Sequence, residues 1–368
     1  MYIAPPVYPT GKVDKLLRPR TDPRRTRPAR PPSPSAARAA KPLAVAIAAL
    51  AAALVAAGCG DSGGSSTKLS LVAYSTPKEA YAELIPAFRK TPEGEGVEFT
   101  QSYGASGDQS RSVAAGLPAD VVAFSLQPDV DKLVEPGKVP RDWSAGPEKG
   151  FVTNSVVVFA VRKGNPKGIR TWDDLVEPGV EVLEPNPFTS GGARWNVMAA
   201  YGAQIAQGRS EQEAEKYLSD LFGNVVVQDK SAREALQTFE SGKGDVLLAY
   251  ENEAIAAKQK GLDVDYVIPD QTILIQNPIA VTASGRDKPA AKAFVDFLTS
   301  PEGQRIYASK GYRPVHASQL DPKAFPTPKA LFRIDRFGGW SVVNDRFFDP
   351  DTGVVAGIEK EMGVSTGG

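Results

Sequence analysis

Residues 180–205 read VEVLEPNPFTSGGARWNVMAAYGAQI. Val180 to Leu183 is a short apolar run of strand character, and Thr189-Ser190-Gly191-Gly192 is a polar turn. Behind the turn, Trp195, Met198, Ala199 and Ile205 recur at helical spacing. A strand that feeds a capped helix through a tight turn is the repeating unit of an α/β chain.

The same alternation continues on both sides. Leu69–Tyr74, Asp120–Phe124, Ser155–Val161, Val225–Val227, Val246–Tyr250 and Ile279–Thr282 are further strand candidates, and continuous apolar runs of this kind suit strands buried on both faces. Thr76-Pro77-Lys78-Glu79 predicts an N-cap, a proline at the first helical position and a capping box, followed by Ala80, Tyr81, Leu84, Ile85 and Phe88 on one face. Ser106-Gly107 opens a helix toward Gly116, and Ser231-Ala232-Arg233-Glu234 is a second capping box. A helix N-terminus presents unpaired N–H groups and the positive end of a dipole, so several aimed at one point would hold an anion without a cationic side chain. Taken singly, each reads as an ordinary cap, since capping residues are commonplace.

Composition narrows the chemistry. Among 368 residues there is one cysteine, Cys59, and one histidine, His316. An intrachain disulfide, a Cys/His zinc cluster and a multi-histidine metal site therefore lack their residues, and no metal or cofactor is expected. The 43 basic and 43 acidic residues balance overall, but residues 1–58 hold ten basic and two acidic ones. The remainder, with 33 basic against 41 acidic, disfavours nucleic acid as a partner. Residues 1–37, rich in Pro and Arg, read as a disordered basic extension or as translation begun too far upstream. Residues 38–58 read as a signal peptide: Arg38 and Lys41 end a basic region, and Leu43 to Ala57 is uninterrupted apolar sequence, short for a membrane span. Ala56-Ala57-Gly58-Cys59 resembles the lipobox of bacterial lipoproteins, which implies acylation of Cys59, with residues 59–67 as lipidated cysteine and flexible tether. Ala56 departs from the Leu or Val preferred there, so an ordinary signal peptide with an incidental cysteine is the alternative.

Catalytic readings fail on spacing. Gly104-Ala-Ser-Gly107 begins like a nucleophile elbow, but Asp108 stands at the fifth position, where the motif requires glycine. Gly242-Lys-Gly244 lacks the spaced glycine and the Ser/Thr of a phosphate loop. Ser190 has no base near it in sequence, and His316 lies far along the chain. The expectation is a protein that is not an enzyme.

Several longer stretches carry a family likeness: Tyr103–Gln109 (YGASGDQ), Val161–Lys167 (VRKGNPK) with Trp172–Leu175, Pro185–Asn196 (PNPFTSGGARWN), Gly244–Ala254 (GDVLLAYENEA), and Ser300–Gln304 with Gly311–Pro314 (GYRP). In order, from about Leu69 to Trp340, they resemble the sulfate/thiosulfate-binding proteins of bacterial ABC importers. The resemblance implies a two-lobed periplasmic-binding-protein fold of type II, each lobe a mixed sheet flanked by helices. Lobe one would be residues 68–154 with 281–368 and lobe two residues 155–280, crossing near 153–155 and 278–281. It implies a dehydrated oxyanion in the cleft, held by backbone N–H groups of Ser75, Ser106, Gly191, Gly192 and Ala232 and by the Ser190 hydroxyl. Tyr250 occupies a position where the family commonly has a Trp donor, and it reads alternatively as a core aromatic. Arg194 and Arg233 would brace these loops through carboxylates. Asp108, where some relatives carry a basic residue, reads either as an acid facing the cleft or as an exposed acid favoured by the helix dipole. The partners implied are sulfate or thiosulfate, a membrane permease driven by a separate ATPase, and the membrane through a lipid. The protein would be an extracytoplasmic monomer. The alternatives are another tetrahedral oxyanion, molybdate or phosphate, or an adhesin or enzyme on the same fold.

Overall fold

The computed structural model describes residues 67–366. The basic extension, the signal peptide, Cys59 and all but the last residue of the tether lie outside the described residues.

The strands are β1 (Lys68–Tyr74), β2 (Glu98–Gly104), β3 (Val121–Ala123), β4 (Phe151–Arg162), β5 (Val182–Leu183), β6 (Val225–Val227), β7 (Val246–Tyr250), β8 (Val264–Val267), β9 (Gln271–Val281) and β10 (Ala330–Phe332). The helices are α1 (Lys78–Phe88), α2 (Ser106–Ala114), α3 (Gln127–Asp131), α4 (Gly191–Ala206), α5 (Glu211–Gly223), α6 (Ala232–Glu240), α7 (Glu251–Gln259), α8 (Pro289–Thr299), α9 (Pro301–Ser309), α10 (Gly339–Val343) and α11 (Val354–Glu361).

The main sheet runs β2-β1-β3-β9-β4-β7-β5-β6, with β10 on β9 and β8 on β4. It has two similar halves. In one, β2, β1 and β3 are parallel and β9 is antiparallel to β3; in the other, β6, β5 and β7 are parallel and β4 is antiparallel to β7. The halves meet where Phe151–Val156 of β4 pairs with Leu274–Pro278 of β9, so these two long strands run through both. The mixed sheet flanked by helices is the fold class expected from the sequence.

Burial explains what the sequence concealed. β2 has no fully buried residue and reads EFTQSYG, so it carries no apolar run to betray it. β4 begins four residues before the predicted strand, and β9 begins eight before it, because polar Thr153, Thr272 and Asn277 are buried and bonded inside the sheet. The capping box predicted at Thr76 does not form. Pro77 is the N-cap, without a side-chain bond; Thr76 donates instead to Glu253, and Glu79 is taken by Arg233 and Lys260. Residues after β10 were expected with lobe one. Their apolar side chains, Trp340, Val343, Phe347, Val355 and Ile358 among them, share a core with Trp195, Tyr201, Tyr217 and Leu218 of α4 and α5.

Candidate ligand-binding site

Parallel strands that feed helices deliver their C-terminal ends to one edge of a sheet, and a sheet of two halves delivers two such edges. Tyr74, Gly104 and Tyr250 end β1, β2 and β7; Ser125 lies two residues past β3; Gly191 and Ala232 are the first residues of α4 and α6. All meet around one small cavity of about 10 Å³, whose wall also includes Ser75, Thr76, Ala105, Ser106, Ser190, Gly192 and Ser231. The seven ligand-binding residues expected from the sequence are thus brought together from both halves of the sheet. No residue of this wall has a charged side chain. Larger clefts exist, one of about 780 Å³ beside Trp340, but these donors do not line it.

Local bonding orients the wall. Ser190 is the N-cap of α4, and its Oγ accepts from the Ala193 N–H at 3.4 Å, which leaves the hydroxyl proton free to donate. Ser231 caps α6 in the same way, accepting from Glu234 N at 3.3 Å. The Ser106 hydroxyl is consumed: it donates to Asp129 at 2.7 Å and accepts from Ser125 N at 3.0 Å. That leaves the Ser106 N–H, in the first turn of α2, without an intrahelical partner. Gly107 N donates to Thr189 O at 3.3 Å, joining α2 of one half to the turn before α4 of the other.

Tyr250 is buried, and its hydroxyl lies 2.7 Å from Ser125 Oγ. Burial pushes its pKa up and the Ser125 bond pulls the other way, so the phenol keeps its proton. The two hydroxyls share one bond, so one proton of the pair remains for a third group. Glu253 lies behind this wall, accepting from Thr76 Oγ1 and Tyr250 N, each at 3.3 Å. Burial moves its pKa up to about 7, against the Tyr250 N–H, Arg233 and Thr76.

The flanking charges differ from one another. Arg233 Nε and Nη2 donate to Ser75 O at 3.2 Å while Nη1 donates to Glu79 at 2.8 Å, so a guanidinium fixes the peptide after Ser75 without entering the cavity. Glu79 is held down at about 2: partial burial works against this, and the bonds from Arg233 and Lys260 overcome it. Arg194, expected to reach a carboxylate, instead donates to Pro187 O at 2.8 Å and Asn344 Oδ1 at 2.9 Å and lies over the Phe348 ring. Neutral acceptors suffice there because the C-terminal segment packs on α4. Asp108 pairs with Arg111 on the exposed face of α2 and is not part of the wall.

Sequence reasoning missed Ser125, Asp129 and Glu253. Ser125 was detectable in principle as the polar residue just beyond a strand run; the bond of Asp129 to Ser106 spans 23 residues and that of Glu253 to Thr76 spans 177, whereas the bond of Glu253 to Tyr250 N, three residues back, is local to the start of α7.

Two half-sheets that share two long strands, with strand ends and helix N-termini turned onto one small cavity, form the architecture of a solute-binding protein. Residues 69–313 match the family described as bacterial extracellular solute-binding protein. The chain belongs to this family, one of extracytoplasmic binding proteins and not of enzymes. It is 42% identical over 313 residues to a sulfate-binding protein of Synechococcus elongatus, covering 80% of this chain and 89% of that one. It is 36% identical to a thiosulfate-binding protein of Pseudomonas aeruginosa, covering 81% and 95%. Among solved structures, the sulfate-binding protein SubI from Mycobacterium tuberculosis H37Rv superposes with a TM-score of 0.75 at 45% identity, covering 77% of this chain and 100% of that one.

Proposed function

We propose that this chain captures sulfate, or thiosulfate, outside the cytoplasm and delivers it to the permease of an ABC importer. The observation that carries the reading is the cavity wall without a charged side chain, built from helix N-termini and hydroxyls. The names of relatives at 36–42% identity support the ligand class. In this reading the anion accepts from the N–H groups of Ser75, Ser106, Gly191, Gly192 and Ala232, from Ser190 Oγ, and from the Tyr250–Ser125 hydroxyl pair. Residues 68–154 and 155–280 belong to opposite lobes, and ligand entry draws them together, since donors from both reach one anion only when closed.

The donor set also sets selectivity. Sulfate near neutral pH only accepts hydrogen bonds, whereas hydrogen phosphate brings a proton that needs an acceptor. Leaving that proton unpaired costs about 1–3 kcal/mol, so phosphate binds roughly 5- to 150-fold more weakly. Calorimetric titration of the anion-stripped protein with sulfate, thiosulfate, molybdate and phosphate checks this. One-to-one sulfate binding well above phosphate is expected; equal phosphate affinity, or no heat with any of the four, overturns the reading.

The lipid anchor at Cys59 is a separate element of the proposal. Processing before Cys59 and acylation of its thiol hold the protein on the outer face of the cell membrane as a monomer beside its permease and separate ATPase. Cys59→Ser is expected to move the protein from the membrane fraction to the medium, and an unchanged membrane fraction counts against acylation.

A further inference from the structure

Away from the ligand cavity, two carboxylates are buried together without a cation. Glu184 directly follows β5 and is 1% exposed; Glu359, in the last turn of α11, is 0% exposed. Their neighbours are amides. Asn196 of α4, 2% exposed, donates Nδ2 to Glu184 Oε2 at 3.0 Å and to Leu248 O at 3.0 Å, and Gln228, just past β6, donates Nε2 to Glu359 Oε2 at 3.0 Å. β5 and β6 pair at Leu183 and Val227, so Glu184 and Gln228 leave the sheet side by side.

The bonding that is missing is one-sided. Glu184 Oε1, Glu359 Oε1, Asn196 Oδ1 and Gln228 Oε1 are all buried with no hydrogen-bond partner. Each amide has spent its N–H₂ on a carboxylate, so the four unpartnered atoms are oxygens that accept and none that donates. Burial lifts the pKa of both acids, and the charge of Glu359 lifts Glu184 further; no basic group offsets either. Buried carboxylates are paired or bound to a metal when they remain charged.

We propose that Glu184 and Glu359, with the amide oxygens of Asn196 and Gln228, form a site for a hard divalent cation of the calcium type. Two carboxylate and two amide oxygens from four separate elements suit calcium, which takes oxygen ligands in flexible geometry, better than magnesium, which demands a near-octahedral set. Among the described residues no three acidic, histidine or cysteine side chains gather at one point, so the site is sparse in charge. Sites of that kind in extracellular proteins bind at about 10⁻⁴ to 10⁻³ M. The cation would fasten α11 to the ends of β5 and β6, at the base of the turn that carries Ser190 and Gly191. This inference does not depend on which anion the cavity holds.

The test is thermal unfolding and calorimetry of the chelator-treated protein in chloride buffer at pH 7.5, with calcium, magnesium or sodium chloride. Ten millimolar calcium is expected to raise Tm by about 3 °C, saturably, and magnesium by less. Glu184→Gln, which keeps the shape and removes one charge, is expected to fold and to lose the calcium response; Glu302→Gln on exposed α9 is expected to retain it. If calcium leaves Tm unchanged while Glu184→Gln raises it more at pH 8 than at pH 5, the two acids hold protons instead and the site is overturned. An equal calcium response in wild type and Glu184→Gln also overturns it.

Discussion

Gly191→Pro is expected to lower sulfate affinity by at least a hundredfold while leaving α4 folded. Position 191 is the first residue of α4, where proline's fixed φ is tolerated and its missing N–H breaks no intrahelical bond. In the proposed site that N–H is a donor to a desolvated dianion, and hydrogen bonds to charged groups contribute about 1.5–3 kcal/mol. A second penalty adds to it. A Cβ at Gly191 would stand 2.9 Å from Ser125 Cβ and Leu126 Cγ, atoms of the opposite half of the sheet, so the substitution wedges apart the surfaces that close on the ligand. Gly192→Ala separates the two causes. Its Cβ meets Ser190 Oγ, Ala232 Cβ and Tyr250 Cε1 at 3.4–3.7 Å, ordinary contact distances, and the N–H is kept. It is expected to lose less, about tenfold, by filling a cavity of about 10 Å³. Calorimetry with sulfate, alongside circular dichroism and Tm, reads both variants. A Gly191→Pro protein that binds like wild type with a native melt would remove α4 from the site.

The capping chemistry of the turns was legible because it is local. Ser190 and Ser231 are N-caps where the sequence puts a small hydroxyl residue before a helical pattern, and their strands are apolar runs. Whether those caps point at one place depends on strand order, and the order β3-β9-β4-β7 joins segments more than 80 residues apart. Convergence therefore became visible only once β4 and β9 were seen to run through both halves. Thr76 illustrates the converse. Its local pattern satisfies every rule for a capping box, yet Glu253 and Arg233, remote in sequence, outbid the local partners for Thr76 and Glu79. Asp129 is set by a tertiary neighbour, Ser106, 23 residues away, and no spacing rule announces it.

Arg313→Met is expected to be the most destabilising of the substitutions considered, by about 3–5 kcal/mol, or on the order of 10 °C in Tm. Arg313 Nε and Nη2 bond Glu251 Oε2 and Oε1 at 2.6 and 2.9 Å, and Nη2 also reaches Pro326 O at 2.9 Å. The pair is almost fully buried and joins the segment after α9 to the first turn of α7, while the Arg313 backbone bridges to Asn154 of β4. Removing one partner leaves a carboxylate in a dry interior, which is where the loss arises. Its pH dependence distinguishes this cause from lost packing. Burial already raises the Glu251 pKa although Arg313 opposes it, and without Arg313 the rise is larger. An acid whose folded pKa lies above its unfolded value has its full stability below the unfolded pKa and loses it as pH rises toward the folded one. The deficit of Arg313→Met relative to wild type should therefore be smaller at pH 5 than at pH 8, and adding Glu251→Gln should recover much of it at pH 8. Denaturant melts at the two pH values measure both effects. A deficit independent of pH that Glu251→Gln does not relieve would mean that the arginine stem and its ring contact with Phe325 stabilise the fold, and not the charge pair.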